Sequence, residues 1–209
     1  MPASLPELAG FHLEAAYLPA QEVGGDFYQV LQQADGFALI VVGDVSGKGL
    51  KAAMTGALAI GALRTLAAED FSPGELLARL NSQMLAAQDG GFITCLCLRI
   101  SAQGLVTMAN AGHLSPYRNG EEVAVESGLP LGLAADQQYG QTTVQLEPGE
   151  TLTLLSDGVV EAMNPQHQLL GFERVRAMSG DSAHEIAAAA QAFGQEDDIT
   201  VLTVRRSRD

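Results

Sequence analysis

The order of periodicities along this chain narrows its fold more than any single motif does. Two strand-like segments, FHLEAAYLPA and DFYQVLQQ, precede a turn signal at Asp35-Gly36 and a buried apolar run, FALIVV. From Leu50 the period changes. Leu50, Ala53, Met54, Ala57, Leu58 and Gly61 recur at the spacing of one helix face, predicting a helix over 49–68. A second helix is expected over 72–88, where Ser72 can cap, Pro73 suits the first turn and Glu75 completes a capping box. Its apolar stripe is Leu76, Leu80, Met84 and Ala87. Strands return over 92–100, 104–110, 114–118, 141–146 and 151–156, with turns at Asn119-Gly120 and Pro148-Gly149. A further capping box, SAHE, opens a helix over 183–193, and DDITVLTV ends the pattern as a strand. Strands that follow strands, with helices paired in the middle and again near the end, fit an α+β fold with antiparallel sheets. The βαβαβ alternation of a doubly wound parallel sheet is absent.

At 209 residues the chain suits one domain with a full core. Eleven basic residues against 25 acidic ones leave a net charge of −14. A general nucleic-acid or anionic-membrane surface needs the opposite balance, so no nucleic-acid partner is expected. The charge suits a cation site, or simply a solvated surface. No apolar run of membrane-spanning length occurs, and MPASLPELAG lacks the basic start and apolar core of a signal peptide. Cys95 and Cys97, spaced i, i+2 in ITCLCLRI, are too close for a mutual disulfide and poor zinc ligands. They read as core residues of a reduced, cytoplasmic protein.

The segment VVGDVSGKGL, residues 41–50, admits two chemistries. A phosphate-binding loop needs G-x-x-x-x-G-K-[ST], but Gly43 and Gly47 are too close together and Gly49 replaces the hydroxyl residue after Lys48. The dinucleotide fingerprint G-x-G-x-x-G is missing as well. The alternative is an aspartate held at a strand end to grip a metal. Asp44 ends ALIVVGD, Asp157 ends TLTLLSD, Asp197 and Asp198 precede ITVLTV, and Asp26 follows two glycines. Each could be a turn residue on its own. Together they form an oxygen-only donor set of the kind that takes Mg²⁺ or Mn²⁺.

Seven segments carry a family resemblance: PAQEVGGDFYQV, GDVSGKGLKAAM, NAGHLSPY, GLPLGL, LSDGVVEAMN, GFERV and EDDITVLTV. In this order, over about residues 10–205, they resemble the bacterial metal-dependent protein phosphatases of the PPM/PP2C superfamily. The branch is that of the sporulation phosphatase and the stress-response regulators. The resemblance implies an αββα sandwich: two antiparallel sheets face to face, with helices outside. It implies two Mn²⁺ or Mg²⁺ ions in a cleft at one end of the sheets. Asp44 would bridge them and the Val45 carbonyl would add an oxygen. Asp26 would serve one ion, Asp157 and Asp197 the other. Gly47 and Gly49 would let the loop turn beneath the metals. Asp198 stays open between bracing the site and forming the turn.

Lys48 reads equally as a phosphate-attracting cation or a solvated loop lysine. Asn110 and His113 match the family's NAGH signature and read as bracing residues, with a general acid at His113 as the sharper alternative. His12, His167 and His184 are expected at the surface. Gln29 stands where many relatives carry an acid, so one metal or water partner is expected to be lost. The phosphate-gripping arginine of eukaryotic relatives has no evident counterpart near Asp26. The implied activity is hydrolysis of phosphoserine or phosphothreonine by a water activated between two metals. The implied substrate is an anti-sigma-factor antagonist of the STAS type. An activating sensor domain or partner is expected at the helices over 49–88, and a homodimer is a separate expectation. The alternative is a non-catalytic phosphatase-fold module that binds a signalling partner.

Overall fold

A computed structural model describes residues 4–33, 36–87 and 91–208. Asp35 of the expected Asp35-Gly36 turn and Gln88 at the expected helix end lie outside the described residues. In chain order, β1 (Phe11–Leu18), β2 (Phe27–Gln32) and β3 (Ala38–Val45) lead into α1 (Leu50–Leu66) and α2 (Pro73–Ala87). Next come β4 (Ile93–Ile100), β5 (Leu105–Ala111) and the short β6 (Tyr117–Arg118), β7 (Glu121–Glu122) and β8 (Ser127–Gly128). β9 (Thr142–Gln145) and β10 (Thr151–Leu155) precede α3 (Asp157–Val160), α4 (Gly171–Met178) and α5 (Ala183–Gly194). β11 (Ile199–Arg206) is the last element.

The strands form two sheets, in the orders β1-β11-β10-β6-β7 and β2-β3-β4-β5-β8, with β9 also pairing β5. Pairing is antiparallel except between β5 and β8, so the expected antiparallel sandwich carries one short parallel contact. Inward side chains meet between the sheets: Tyr28, Val30, Ile40, Val42, Leu96, Leu98, Val106, Met108, Leu152, Leu154, Leu202 and Val204 form one buried cluster. Outside one sheet, α1 and α2 pack on Leu39, Val41, Cys95 and Cys97. Outside the other, α3, α4 and α5 cover Ala16, Leu155, Ile199 and Val201. The result is the αββα layering of an α+β fold. Both cysteines are buried and free.

Local signals were accurate where they were strong. Ser72 and Glu75 exchange hydrogen bonds at the start of α2, and Ser182 and Glu185 form the capping box of α5. Asn119 and Gly120 both take positive φ in the tight turn between β6 and β7, as a type I′ turn requires. His12, His167 and His184 are exposed.

Other expectations fail. The face assigned to α1 is the wrong one. Leu50, Met54 and Leu58 are 68%, 65% and 47% exposed, while Ala52, Gly56, Ala59, Leu63 and Leu66 are buried. Small residues win because α1 lies close to the sheet: a Cβ at Gly56 would stand 3.6 Å from the Val45 side chain. In α2, Ala87 is exposed, and Leu77 and Asn81 join the buried face. The strand expected over 114–118 shrinks to Tyr117–Arg118, since Pro116 offers no N–H to a ladder. Neither α3 nor α4 was foreseen, being four and eight residues long with no side-chain cap at either start.

A carboxylate cluster at one end of the sheets

The site follows from strand alternation. Successive side chains point to opposite faces, so residues two apart share a face. Extending the inward series of each strand by one step leads to Asp26 before β2, Asp44 on β3, Thr94 on β4, Asn110 on β5, Ser156 after β10 and Thr200 on β11. The apolar inter-sheet core therefore ends in a polar layer. Asp198 continues it one step beyond Thr200.

Asp198 is buried and organises the backbone. One carboxylate oxygen accepts from the Ala20 amide at 2.9 Å, the other from the Gly25 amide at 2.7 Å and the Asp26 amide at 3.4 Å. These bonds tie the 20–26 loop to the start of β11 and aim Asp26 inward. Close approach demands glycine on both sides. A Cβ at Gly24 would fall 2.0 Å from an Asp198 carboxylate oxygen, and one at Gly158 would fall 2.0 Å from the Asp198 carbonyl oxygen.

Asp26 is 6% exposed and accepts from the Thr200 hydroxyl. Burial pushes its carboxyl up to about 8; Thr200 and Ser156 oppose the rise, while Asp44 and Asp198 add to it. Burial likewise pushes Asp44 up to about 7, reinforced by Asp157, Asp197 and Asp198 and opposed by a hydrogen bond with Asp26. Asp157 begins α3 and is also raised, by burial first and then by Asp197. Asp197 is half-buried. It accepts from the Asp198 amide at 2.9 Å and pairs with the Lys48 ammonium at 3.1 Å. Lys48 also donates to the Glu196 carbonyl, so it is neither a free solvated lysine nor an open phosphate contact. Asp44, the Val45 backbone, Lys48, Asp197 and Asp198 line a cavity of about 110 Å³, with Gly47 and Gly49 at positive φ on its rim.

The expected residues thus meet, but not as a finished cage. Among the described residues, no three Asp, Glu, His or Cys side chains stand close enough to hold one ion. The reasons are local: Lys48 holds Asp197, Thr200 holds Asp26, and Asp198 faces backbone amides. The donor chemistry nevertheless fits divalent cations. Only oxygens converge, and three carboxyl groups are raised above their ordinary range with Lys48 as the one cation lining the cavity among the described residues.

Asn110 and His113 form a closed bracket. The Asn110 side chain accepts from the His113 amide at 2.8 Å and donates to the His113 carbonyl at 2.9 Å. The ring meets the Thr94 hydroxyl at 2.9 Å, opposite Asp44 in the β3–β4 register. Burial pushes the ring down to about 4, against the Leu155 carbonyl, which favours protonation. A ring that is neutral near pH 7 keeps one N–H for hydrogen bonding but lacks the readily lost proton of an imidazolium, which favours bracing over general acid catalysis.

Gln29 is a correction. It lies on the opposite face of β2 from Asp26, 2% exposed, and its amide oxygen accepts from Arg64 of α1 at 3.0 Å. An acid there would face the helix layer, not the carboxylates, so no metal partner is lost. Thr94, Ser156 and Thr200 were missed. The signal was present, since each is a polar residue at the inward parity of an apolar strand.

The family model for stage II sporulation protein E (SpoIIE) matches residues 34–207. The chain belongs to the SpoIIE family. It is 26% identical to protein IcfG of Synechocystis, over 99% of this chain and 40% of that protein. It is 26% identical to the phosphoserine phosphatase RsbU of Bacillus subtilis, over 97% of this chain and 65% of that protein. The chain thus spans less than two thirds of the length of both relatives. The SiaA-PP2C domain of Pseudomonas aeruginosa superposes with a TM-score of 0.76 at 26% identity, covering 92% of this chain and 85% of that one. The SpoIIE-family fold of this chain is the PP2C sandwich.

Proposed function

We propose that the chain is a metal-dependent phosphatase acting on phosphoserine or phosphothreonine in a protein. The observation that carries this reading is Asp44, raised to about 7 by burial and three neighbouring carboxylates at the convergence of the strand ends. Such crowding stores repulsion that a divalent cation relieves, and oxygen donors favour Mn²⁺ or Mg²⁺. Asp26, Asp44, the Val45 carbonyl, Asp157 and Asp197 would hold two ions. When bound, these supply positive charge that stabilises a transferring phosphoryl group and acidifies an attacking water.

The remaining work falls to the chain itself. Asp198 locks the loop that presents Asp26, and Thr200 steadies the Asp26 carboxyl. Asn110 fixes the turn bearing His113, whose ring supports Thr94 beside Asp44. The Lys48 ammonium competes with a cation for Asp197, which lowers cation occupancy and makes low basal activity the expected resting behaviour. RsbU's designation as a phosphoserine phosphatase supports the substrate class. Within that class we assign a STAS-type anti-sigma-factor antagonist as substrate and the cytoplasm as location. The exposed Leu50, Met54 and Leu58 support α1 as the contact for an activating partner or a second copy. The Lys48–Asp197 pair also favours a second reading, a module that binds a partner without turnover.

Hydrolysis of p-nitrophenyl phosphate and of a phosphoserine peptide across a Mn²⁺ titration decides between them, run beside Asp44→Asn and Asp157→Asn. Mn²⁺-dependent turnover lost in both variants supports the phosphatase. A Mn²⁺-dependent rise in melting temperature without turnover at any concentration supports the binding module. Turnover that EDTA leaves intact refutes the metal-dependent reading.

A further inference from the structure

A cavity of about 300 Å³ adjoins the carboxylate cleft and shares Val45, Gly47 and Lys48 with its wall. Its other walls include Lys51, Thr55 and Phe92. Lys48 and Lys51 are the only lysines in a chain of net charge −14. Several cations elsewhere are committed to the fold: Arg64 donates to Gln29, Arg176 pairs with Glu121, and Arg205 donates to Thr151. Lys48 is committed to Asp197. Lys51 is exposed and, among the described residues, has no ion pair or hydrogen bond. Its place in the first turn of α1 disfavours the helix, because that end of the dipole prefers an acid and α1 has none there. A lysine kept at a cost to its own helix, aimed into a cavity beside the reactive carboxylates, matches an anionic occupant.

We propose that this cavity docks the segment of the substrate next to its phosphorylated residue, with Lys51 pairing to an acidic side chain there. The inference rests on the phosphatase reading above and adds to it a substrate preference. With the phosphorylated residue at Asp44, the flanking chain runs over Lys48 into the cavity, where Lys51 meets the acid and the partly exposed Phe92 ring covers apolar neighbours. Lys51 is a specificity residue and touches no reacting atom.

The test is fluorescence anisotropy, with saturating Mn²⁺, of labelled peptides carrying a non-hydrolysable phosphonate analogue of phosphoserine flanked by aspartate, asparagine or lysine. The wild-type chain is compared with Lys51→Gln and Lys51→Glu, alongside wild-type turnover of p-nitrophenyl phosphate with Mn²⁺. The aspartate peptide is expected to bind about fivefold tighter than the asparagine peptide, in the range of a solvent-exposed ion pair. Lys51→Gln removes that preference, and Lys51→Glu transfers it to the lysine peptide, a gain that a misfolded variant cannot produce. A wild-type chain without the preference, or a preference that survives Lys51→Gln, overturns the inference. A Lys51-dependent preference in a chain that never turns over p-nitrophenyl phosphate keeps the docking site and sinks the phosphatase reading instead.

Discussion

Replacing Asp26 with asparagine should stabilise the cation-free chain, and by an amount that grows with pH. The Asp26 carboxyl stands at about 8 in the fold against 3.8 for an ordinary aspartate. Between these values the folded chain holds a proton that the unfolded chain has released. A group raised in this way contributes its full stability below about 3.8, and that contribution is lost as pH rises toward about 8. The slope is about 1.4 kcal/mol per pH unit, or about 4 kcal/mol from pH 5 to pH 8. Asp44, raised to about 7, steepens the decline over the lower part of the same window. Asparagine has the shape of the protonated acid and can still accept from Thr200, but it carries no charge. Local relaxation around the ionised group reduces the difference, so the expected gain of Asp26→Asn over wild type grows by at least ~2 kcal/mol between those pH values. Urea unfolding in EDTA at pH 5, 6.5 and 8 measures it. Saturating Mn²⁺ should then rescue the wild type at pH 8 more than the variant, because the cation offsets the repulsion that asparagine already lacks. Wild-type and variant stabilities that run parallel across this range would refute the crowded-carboxylate account.

Further substitutions probe the supports of the site. Lys48→Gln breaks a pair whose two side chains are each about half exposed, so stability should change by less than ~1 kcal/mol, while calorimetry should record tighter Mn²⁺ binding as Asp197 is released. Gly158→Ala drives a Cβ against the Asp198 carbonyl, a backbone atom that cannot turn aside. Urea unfolding should show a loss of at least ~2 kcal/mol. Ser182→Ala removes the capping box of α5, at a cost of about 1 kcal/mol, read as a fall of roughly 2–4 °C in melting temperature.

The chemistry of the site was legible in the sequence because it rides on local features. An apolar strand that ends in an aspartate announces a charge at the rim of a core. Asp44 and Asp157 stand out on that ground, Asp197 as a residue just before an apolar strand and Asp26 after two glycines, and the family resemblance supplies the roles expected of them. The seven ordered segments then supplied the layering that local pattern could not. The helix caps at Ser72 and Ser182 were equally readable, since their hydrogen bonds close within four residues. Thr200 and Ser156 were available by the same strand parity.

Contacts distant in sequence were decided only by the tertiary structure. Helix α1 is apolar on more than one side, so periodicity could not choose between the Leu50–Met54–Leu58 stripe and the smaller Ala52–Gly56–Ala59 stripe. Close packing on the sheet chose the smaller side chains. Gln29 and Asp26 are three residues apart, yet strand alternation sends one toward Arg64 and the other into the carboxylate layer. The raised Asp44 carboxyl and the Lys48–Asp197 pair depend on groups more than a hundred residues away in the chain. Composition determined that this molecule would be strongly acidic; only the folded sheets, by bringing strand ends together, made that acidity a site.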